Sequence, residues 1–427
     1  MRQVVRSGLF GAVLLGWMAG AVQAGAATAS ITKSIAATSE AATVRVPQGG
    51  IDAFDVAVGE TVTFRLESVL PESTAISLRL GDVLAPEFAR VPGSERVSYV
   101  ANTLPSFNGD FAGIQNESTP TFAFPANRVS FDAGSSTLAF DFGSIINNDG
   151  DANNELLIVE FDVVVHDDPA SINGAIVSNE ASLVIDEGLP TETIGRSEVV
   201  RVRVVEPVIR ASKVFAPDVL VRGATTTITL TATNLAIDGA TAPAQDLVLT
   251  DLLDDWLDVD SVSVAFNTEA ATFGSTAQDQ SVLVSGFSTG VRDQVDVRIS
   301  GLPINGTATV TVGVQVDPNA DPLLLARSIA NTLDVAADSL ASDAVPDDDD
   351  RAYTATASDD LDIVKPTLLL DLTDSPDPIA AGAAYAYTAT LQNSGTPTID
   401  ATGVVLTMQV PAGLGVNTAT PSQGSCG

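Results

Sequence analysis

Along most of the chain, apolar and polar residues alternate one by one, the period at which a β-strand buries one face and wets the other. Leu156–Val165 reads LLIVEFDVVV, Val199–Val205 reads VVRVRVV, Thr225–Asn234 reads TTTITLTATN and Ala308–Val316 reads ATVTVGVQV. These runs are rich in β-branched residues and bounded by Gly, Pro, Asn and Asp, so they predict half-buried antiparallel strands. Many short strands separated by turn signals predict an all-β chain built of sandwiches. Short helical turns are expected only at Leu252–Leu257 and Pro322–Arg327.

The pattern also repeats. Val219–Asn234 matches Ile379–Asn393, each with a turn glycine and, eleven residues on, an Asn that ends the strand: Gly223 to Asn234, and Gly382 to Asn393. A looser copy begins at Val56, with Gly59 as its turn glycine. A second strand follows each copy: ISLRLGD ending at Asp82, DLVLTD ending at Asp251, and VVLTMQ ending at Gln409. The ends of the first two repeats correspond as well, FDVVVHDDP leading to IVSNEASLVID and VGVQVDPNADP leading to SIANTLDVAAD. Asn179 and Asn331 therefore fall in equivalent late strands. Boundaries are expected at Glu206-Pro207 and after the acidic stretches Asp347–Asp350 and Ser358-Asp359-Asp360. This gives a first sandwich over residues 25–206, a second over 207–362 and a third over 363–427. The third is far shorter than the others and is expected to be an incomplete sandwich.

Residues 1–24 read as an export signal. Arg2 and Arg6 precede an apolar run from Gly8 to Val22, and Val22-Gln23-Ala24 suits cleavage after Ala24. The run is short for a membrane span, and no later stretch approaches that length. The expected location is secreted or at the cell surface, with no membrane span in the mature chain.

Composition narrows the chemistry. Hydrophobic residues make up 45 % of 427, enough for sizeable cores, and 54 acidic against 20 basic residues give a net charge of −34. Such a field repels nucleic acid and anionic membranes, attracts cations, and keeps an extracellular chain soluble. One His and one Cys exclude common zinc sites, Cys–His nucleophiles and Ser–His–Asp triads. No phosphate-cradling glycine loop and no aromatic–basic patch occurs. Gly286-Phe287-Ser288-Thr289-Gly290 fits G-x-S-x-G, but a strand-like VRDQVDVRIS follows it and the one histidine, His166, precedes it. His166 sits beside Asp167 and Asp168 at a strand end, where exposure to solvent is expected. An enzyme is not expected.

Taken together, the Gly-strand-Asn repeat, the strand ending in Asp and the late Asn-bearing strand resemble the bacterial surface repeats called domain-of-unknown-function eleven, and the related isopeptide-forming fimbrial domains. The resemblance covers nearly the whole mature chain and is clearest in the second and third repeats. It implies tandem Ig-like β-sandwiches in a long surface or secreted protein. The first repeat departs in its longer lead-in, and no cell-wall sorting signal is visible.

Lysine usage sharpens this resemblance. There are 17 arginines but only three lysines, Lys33, Lys213 and Lys365, one read into the first strand of each repeat. An amine can lose its proton when buried and a guanidinium cannot. A neutral buried amine can attack the carboxamide of an Asn and release ammonia, with a protonated carboxyl polarising the amide and moving protons. By resemblance, the first repeat offers Lys33, Asp82 and Asn179 for such an isopeptide bond, and the second offers Lys213, Asp251 and Asn331. In the third, Gln409 stands where the acid would be, so no bond is expected there. An ordinary strand lysine, or a Lys–Asp salt bridge without covalent chemistry, fits the same residues.

Two smaller features remain. Asn147–Glu155 reads NNDGDANNE, and Asp149, Asp151, Asn153 and Glu155 alternate around Gly150 as calcium ligands would; the same run also reads as a solvated hairpin loop. Cys426 lies in a turn-rich stretch, and in the repeats resembled here such a cysteine pairs with another soon after. Its partner is thus expected beyond Gly427, and the chain is expected to continue. The leading functional expectation is a modular extracellular stalk, fimbrial or adhesive component whose partners are neighbouring repeats or other surface proteins. A binding module for a carbohydrate or protein ligand is the alternative, and a non-catalytic part of a larger secreted hydrolase the third. No cofactor is expected beyond the calcium candidate.

Overall fold

The structure, a computed structural model, describes residues 29–40, 45–48, 51–70, 73–102, 105–147, 155–186, 192–237, 242–268, 270, 280–285, 292–319, 327–341, 350–395 and 399–426. Residues 1–24, expected to be an export signal, the G-x-S-x-G segment and residues 342–349 lie outside these. Among the described residues the chain is β apart from isolated single turns of helix such as Gly109–Phe111 and Ala126–Arg128. This is the all-β sandwich architecture that the alternation predicted.

Two sheets face one another in the first repeat. Strands β1 (Ile31–Thr38), β2 (Thr61–Leu70), β3 (Ser73–Val83), β4 (Glu155–Val165), β5 (Ile176–Asp186) and β6 (Val200–Val205) frame it. One sheet runs β1-β2-β4 and continues through Arg96–Val100; the other carries β3, β5 and β6 as adjacent strands. Every second residue of β2 is buried, so Val62, Phe64, Leu66 and Leu70 reach the interior. There they pack with Phe140, Phe142, Phe161 and Leu80 in one core.

In the second repeat, β7 (Ile209–Ala216), β8 (Thr225–Asn234), β9 (Ala244–Leu252), β10 (Thr307–Val316), β11 (Arg327–Asp338) and β12 (Ala352–Ile363) keep the same plan. A four-stranded sheet begins β7-β8-β10, and a six-stranded sheet contains β12-β11-β9 in that order. The expected helical turn at Leu252–Leu257 is instead a tight turn between strands. Leu253 and Leu257 are both buried, and the Leu257 amide donates to the Asp254 carbonyl at 3.0 Å. That bond closes a four-residue turn, and Leu257 already opens the next strand. Pro322 to Ala326 lie outside the described residues, and Arg327 opens β11.

The third repeat contributes one hairpin, β13 (Leu368–Ser375) paired with β14 (Ala386–Asn393). Its outer and inner residues alike are exposed along β13. The expected VVLTMQ strand does not form: residues 404–410 have no strand pairing, and Val405 is 84 % exposed. By contrast ISLRLGD lies in β3 and DLVLTD in β9.

The chain divides into two compact units. The first comprises residues 1–208 with 235–246 and 337–353; the second comprises 209–234, 247–336 and 354–427. The turn glycines Gly59, Gly223 and Gly382 all have positive φ, +87°, +76° and +81°. That left-handed conformation is why glycine opens each copy of the motif.

Candidate functional site

The strand period determines which side chains enter each sandwich. In β1, Ile31 and Lys33 are buried and alternate with exposed neighbours. Lys33 lies opposite Leu66 in the ladder, so its stem enters a layer of apolar side chains. In β3, Leu78, Leu80 and Asp82 are buried in turn, and Asp82 lies opposite Ala181 of β5. Asn179 is two residues before Ala181 and is buried on the same face. An amine from one sheet thus meets a carboxyl and a carboxamide from the other.

Contact is direct. Lys33 Nζ donates to Asp82 Oδ2, and both side chains are wholly enclosed. The ammonium end sits 4.1 Å from the centre of the Phe64 ring and 5.6 Å from that of Phe161. Burial is the largest influence on both groups. It lowers the Lys33 pKa to about 8, against the opposing pull of Asp82. It raises the Asp82 carboxyl above its ordinary value, although Lys33 and the Asn179 amide both favour the charged form. Both directions favour a neutral amine beside a protonated acid. Asn179 is close enough to influence Asp82, yet neither end of its amide completes a well-formed hydrogen bond, and Asp82 Oδ1 is likewise unmatched. Three buried polar groups with unmet partners are costly unless chemistry joins them.

The second repeat places its residues the same way. Lys213 on β7 lies opposite Leu230 and Nζ donates to Asp251 Oδ2, both side chains again enclosed. Burial lowers the Lys213 pKa and raises that of Asp251. Asn331 on β11 is 3 % exposed; its Nδ2 donates to the Leu252 carbonyl at 2.9 Å, and its Oδ1 is unmatched, as is Asp251 Oδ1. Asn331 is nonetheless close enough to act on Asp251. The structure therefore brings Lys33, Asp82 and Asn179 together, and separately Lys213, Asp251 and Asn331.

Ladder register corrects the reading of the third lysine. Counting from the turn glycines, Lys33 faces Leu66, seven residues past Gly59, and Lys213 faces Leu230, seven past Gly223. Seven past Gly382 is Ala389, whose partner is Leu372. Leu372 therefore occupies the lysine position of the third repeat. Lys365 precedes β13, is exposed, and aligns with Glu206 through the shared X-Pro junction. Gln409 is exposed in the unpaired segment.

Of the calcium candidates, Asp149, Asp151 and Asn153 lie outside the described residues. Glu155 is fully buried, and its Oε2 accepts from Asn147 Nδ2 at 2.9 Å. Among the described residues no cluster of metal-ligating side chains occurs. Cys426 is exposed and carries a free thiol, and His166 is exposed. Reading the sequence missed the aromatic rings Phe64, Phe161 and Phe215 around the amines, and Asp359, whose Oδ2 accepts from the Phe215 amide at 2.8 Å. Strand alternation could have exposed the rings: Phe215 is two residues from Lys213, on the same face.

No family model matches the chain, and no curated protein matches it in sequence. Among solved structures it is similar to the C-terminal domain of the Streptococcus agalactiae AgI/II polypeptide BspA, at 8 % identity and TM-score 0.39, over 77 % of this chain and 99 % of that one. It is similar also to the C-terminal domain of the Streptococcus pyogenes antigen I/II-family protein AspA, at 10 % identity and TM-score 0.34, over 77 % of this chain and 99 % of that one. BcpA, the major pilin subunit of Bacillus cereus, aligns at 11 % identity and TM-score 0.28, over 79 % of this chain and 67 % of that one.

Proposed function

We propose that this chain is an exported structural module, a stalk or adhesin-like repeat protein, whose first two sandwiches are each locked by an internal Lys–Asn isopeptide bond. The observation that carries the reading is that both sandwiches bury the same three residue types in the same places. The amine comes from the first strand of one sheet and the amide from a late strand of the other, so one bond would join the two sheets. The reaction is balanced within the protein: Nζ bonds to the Asn Cγ, the Cγ–Nδ2 bond breaks, and ammonia leaves with a proton passed by the Asp carboxyl.

Each bond would close a loop of more than a hundred residues and, by loop-closure entropy, add about 5 kcal/mol. Leu372 in the third repeat has no amine, so that repeat takes no bond of this kind.

Intact-mass measurement of the mature chain tests the reading. The expected result is a deficit of about 34 Da, one ammonia per bond. Asn179→Ala and Asn331→Ala should each remove one bond, and peptide mapping should recover Lys33–Asn179 and Lys213–Asn331 as linked pairs. A folded chain at its full sequence mass would leave only buried Lys–Asp ion pairs.

A further inference from the structure

The two sites are not equivalent, and the difference lies in one side chain. In the first repeat, Val200 of β6 stands directly opposite Asn179 in the ladder and packs against the core. Two independent correspondences locate its counterpart. Glu206-Pro207 aligns with Lys365-Pro366, and the parallel pairings Val204–Val56 and Ile363–Leu220 match one another, since Val56 and Leu220 each lie three residues before their turn glycine. Both place Asp359 of β12 where the first repeat has Val200.

Asp359 is half-buried and reaches across to the opposite sheet, where its Oδ2 holds the Phe215 amide of β7 at 2.8 Å. Phe215 is two residues from Lys213 on the same strand and the same face. A carboxylate so anchored is near enough to act on the Lys213 amine, where its charge, a weaker influence than that of Asp251, favours the ammonium form. The other charged groups in this surrounding are Asp251, which contacts Lys213, and Asp334 of β11, which acts on Asp251. Among the described residues, those that act on Lys33 are Phe64, Phe161 and Asp82.

We infer that Asp359 is a positioning residue that retards isopeptide formation in the second repeat, so that the first sandwich locks before the second. The inference rests on the proposed cross-links. An ammonium has no lone pair, so the attack on the Asn331 carbonyl waits for the minority of molecules whose amine is neutral. In the first repeat the apolar Val200 adds no such charge beside Lys33. The consequence is an ordered maturation, with the second repeat able to unfold and refold after the first is fixed.

The full chain, purified unfolded from inclusion bodies and refolded, allows both bonds to be timed by peptide mass mapping. The expected result is a slower second bond in the wild type. Asp359→Asn keeps an oxygen for the Phe215 amide but removes the charge. It should shorten the half-time of the second bond near pH 7, because the amine loses its proton more readily once that charge is gone. The first bond should not change. The pH at which the second bond's rate begins to fall on acidification should shift down in Asp359→Asn, which a merely structural role would not cause. Val200→Asp should slow the first bond alone.

An Asp359→Asn rate equal to or below the wild-type rate, in a chain whose first bond forms normally, overturns the retarding role. A rate of zero would make Asp359 a proton carrier instead. Absence of both bonds in every variant overturns the cross-link reading itself, and this inference with it.

Discussion

A buried lysine beside a buried aspartate can be an ion pair or a neutral pair, and the two behave differently as pH changes. Lys33 has its pKa lowered to about 8 from an unfolded value near 10.5. Between those values the unfolded chain binds a proton that the folded one lacks, so stability rises with pH across that window. Asn179→Ala keeps the pair but removes the electrophile. That variant should gain stability as pH rises from about 8 to about 10.5, measured by urea denaturation. On the proposed cross-link the wild type has no free Lys33 amine and should show no such gain. Formation of the first bond should itself slow about tenfold for each pH unit well below 8, and slow again in alkali as Asp82 loses its proton. The pair therefore gives a bell-shaped rate profile whose limbs belong to both groups together. Asp82→Ala should abolish the first bond and leave the second, raising the intact mass by about 17 Da after allowing for the substitution.

Strand pairing determines which of these residues can meet, and it explains what the sequence could and could not disclose. Alternation identified β8 and β10 because each buries one face. It also marked β4, although that strand is buried on both faces along nearly its whole length rather than half-buried, and the Asp-terminated strands gave Asp82 and Asp251. Lys365 was misread because a lone lysine near a repeat boundary carries no register. Only the ladder, with Leu372 facing Ala389, shows that the lysine position is seven residues further on. Asp359 was hidden in the acidic stretch Ser358-Asp359-Asp360, read only as marking a boundary; its proposed role depends on a cross-sheet hydrogen bond that no local pattern encodes. VVLTMQ has the alternation of a strand but finds no ladder partner among the described residues, and pattern without pairing gives no sheet.

The turn glycines give a test at this scale. Gly59 and Gly223 share a left-handed backbone, so alanine at either should cost about 1–2 kcal/mol. At Gly59 an added Cβ would also lie 2.8 Å from Leu340 Cδ1 and 3.2 Å from Asp350 Cα, whereas at Gly223 the nearest atom is Pro318 Cβ at 3.7 Å. Gly59→Ala should therefore be worse by a further ~1–3 kcal/mol, seen as the larger drop in the midpoint of thermal unfolding. Equal drops would mean that Leu340 and Asp350 move aside freely.

Across the whole molecule, a net charge of −34 makes the few basic residues valuable, and Arg351 is used more fully than any lysine. It belongs to the first compact unit, where residues 337–353 join residues 1–208. Its Nε donates to Asp167 Oδ1 at 2.7 Å, Nη1 to the Ser171 carbonyl at 2.8 Å, and Nη2 to the Asp168 carbonyl at 3.1 Å. Nη1 also contacts Glu206, which accepts from the Tyr353 hydroxyl at 3.3 Å. Only 20 % of the Arg351 side chain is exposed, so salt should weaken this cluster less than it weakens surface pairs. The planar fork, with donors pointing several ways at once, is what holds four acceptors. An ammonium is a compact point charge and cannot span them. Arg351→Lys, though it keeps the charge, should therefore behave nearly like Arg351→Met. Hydrogen exchange should report faster amide exchange at residues 337–341 and 350–353 in both variants, with the core of β2 and β4 unchanged. Protection restored to the wild-type level by lysine would show that charge alone fastens this segment, and that the directed hydrogen bonds contribute little.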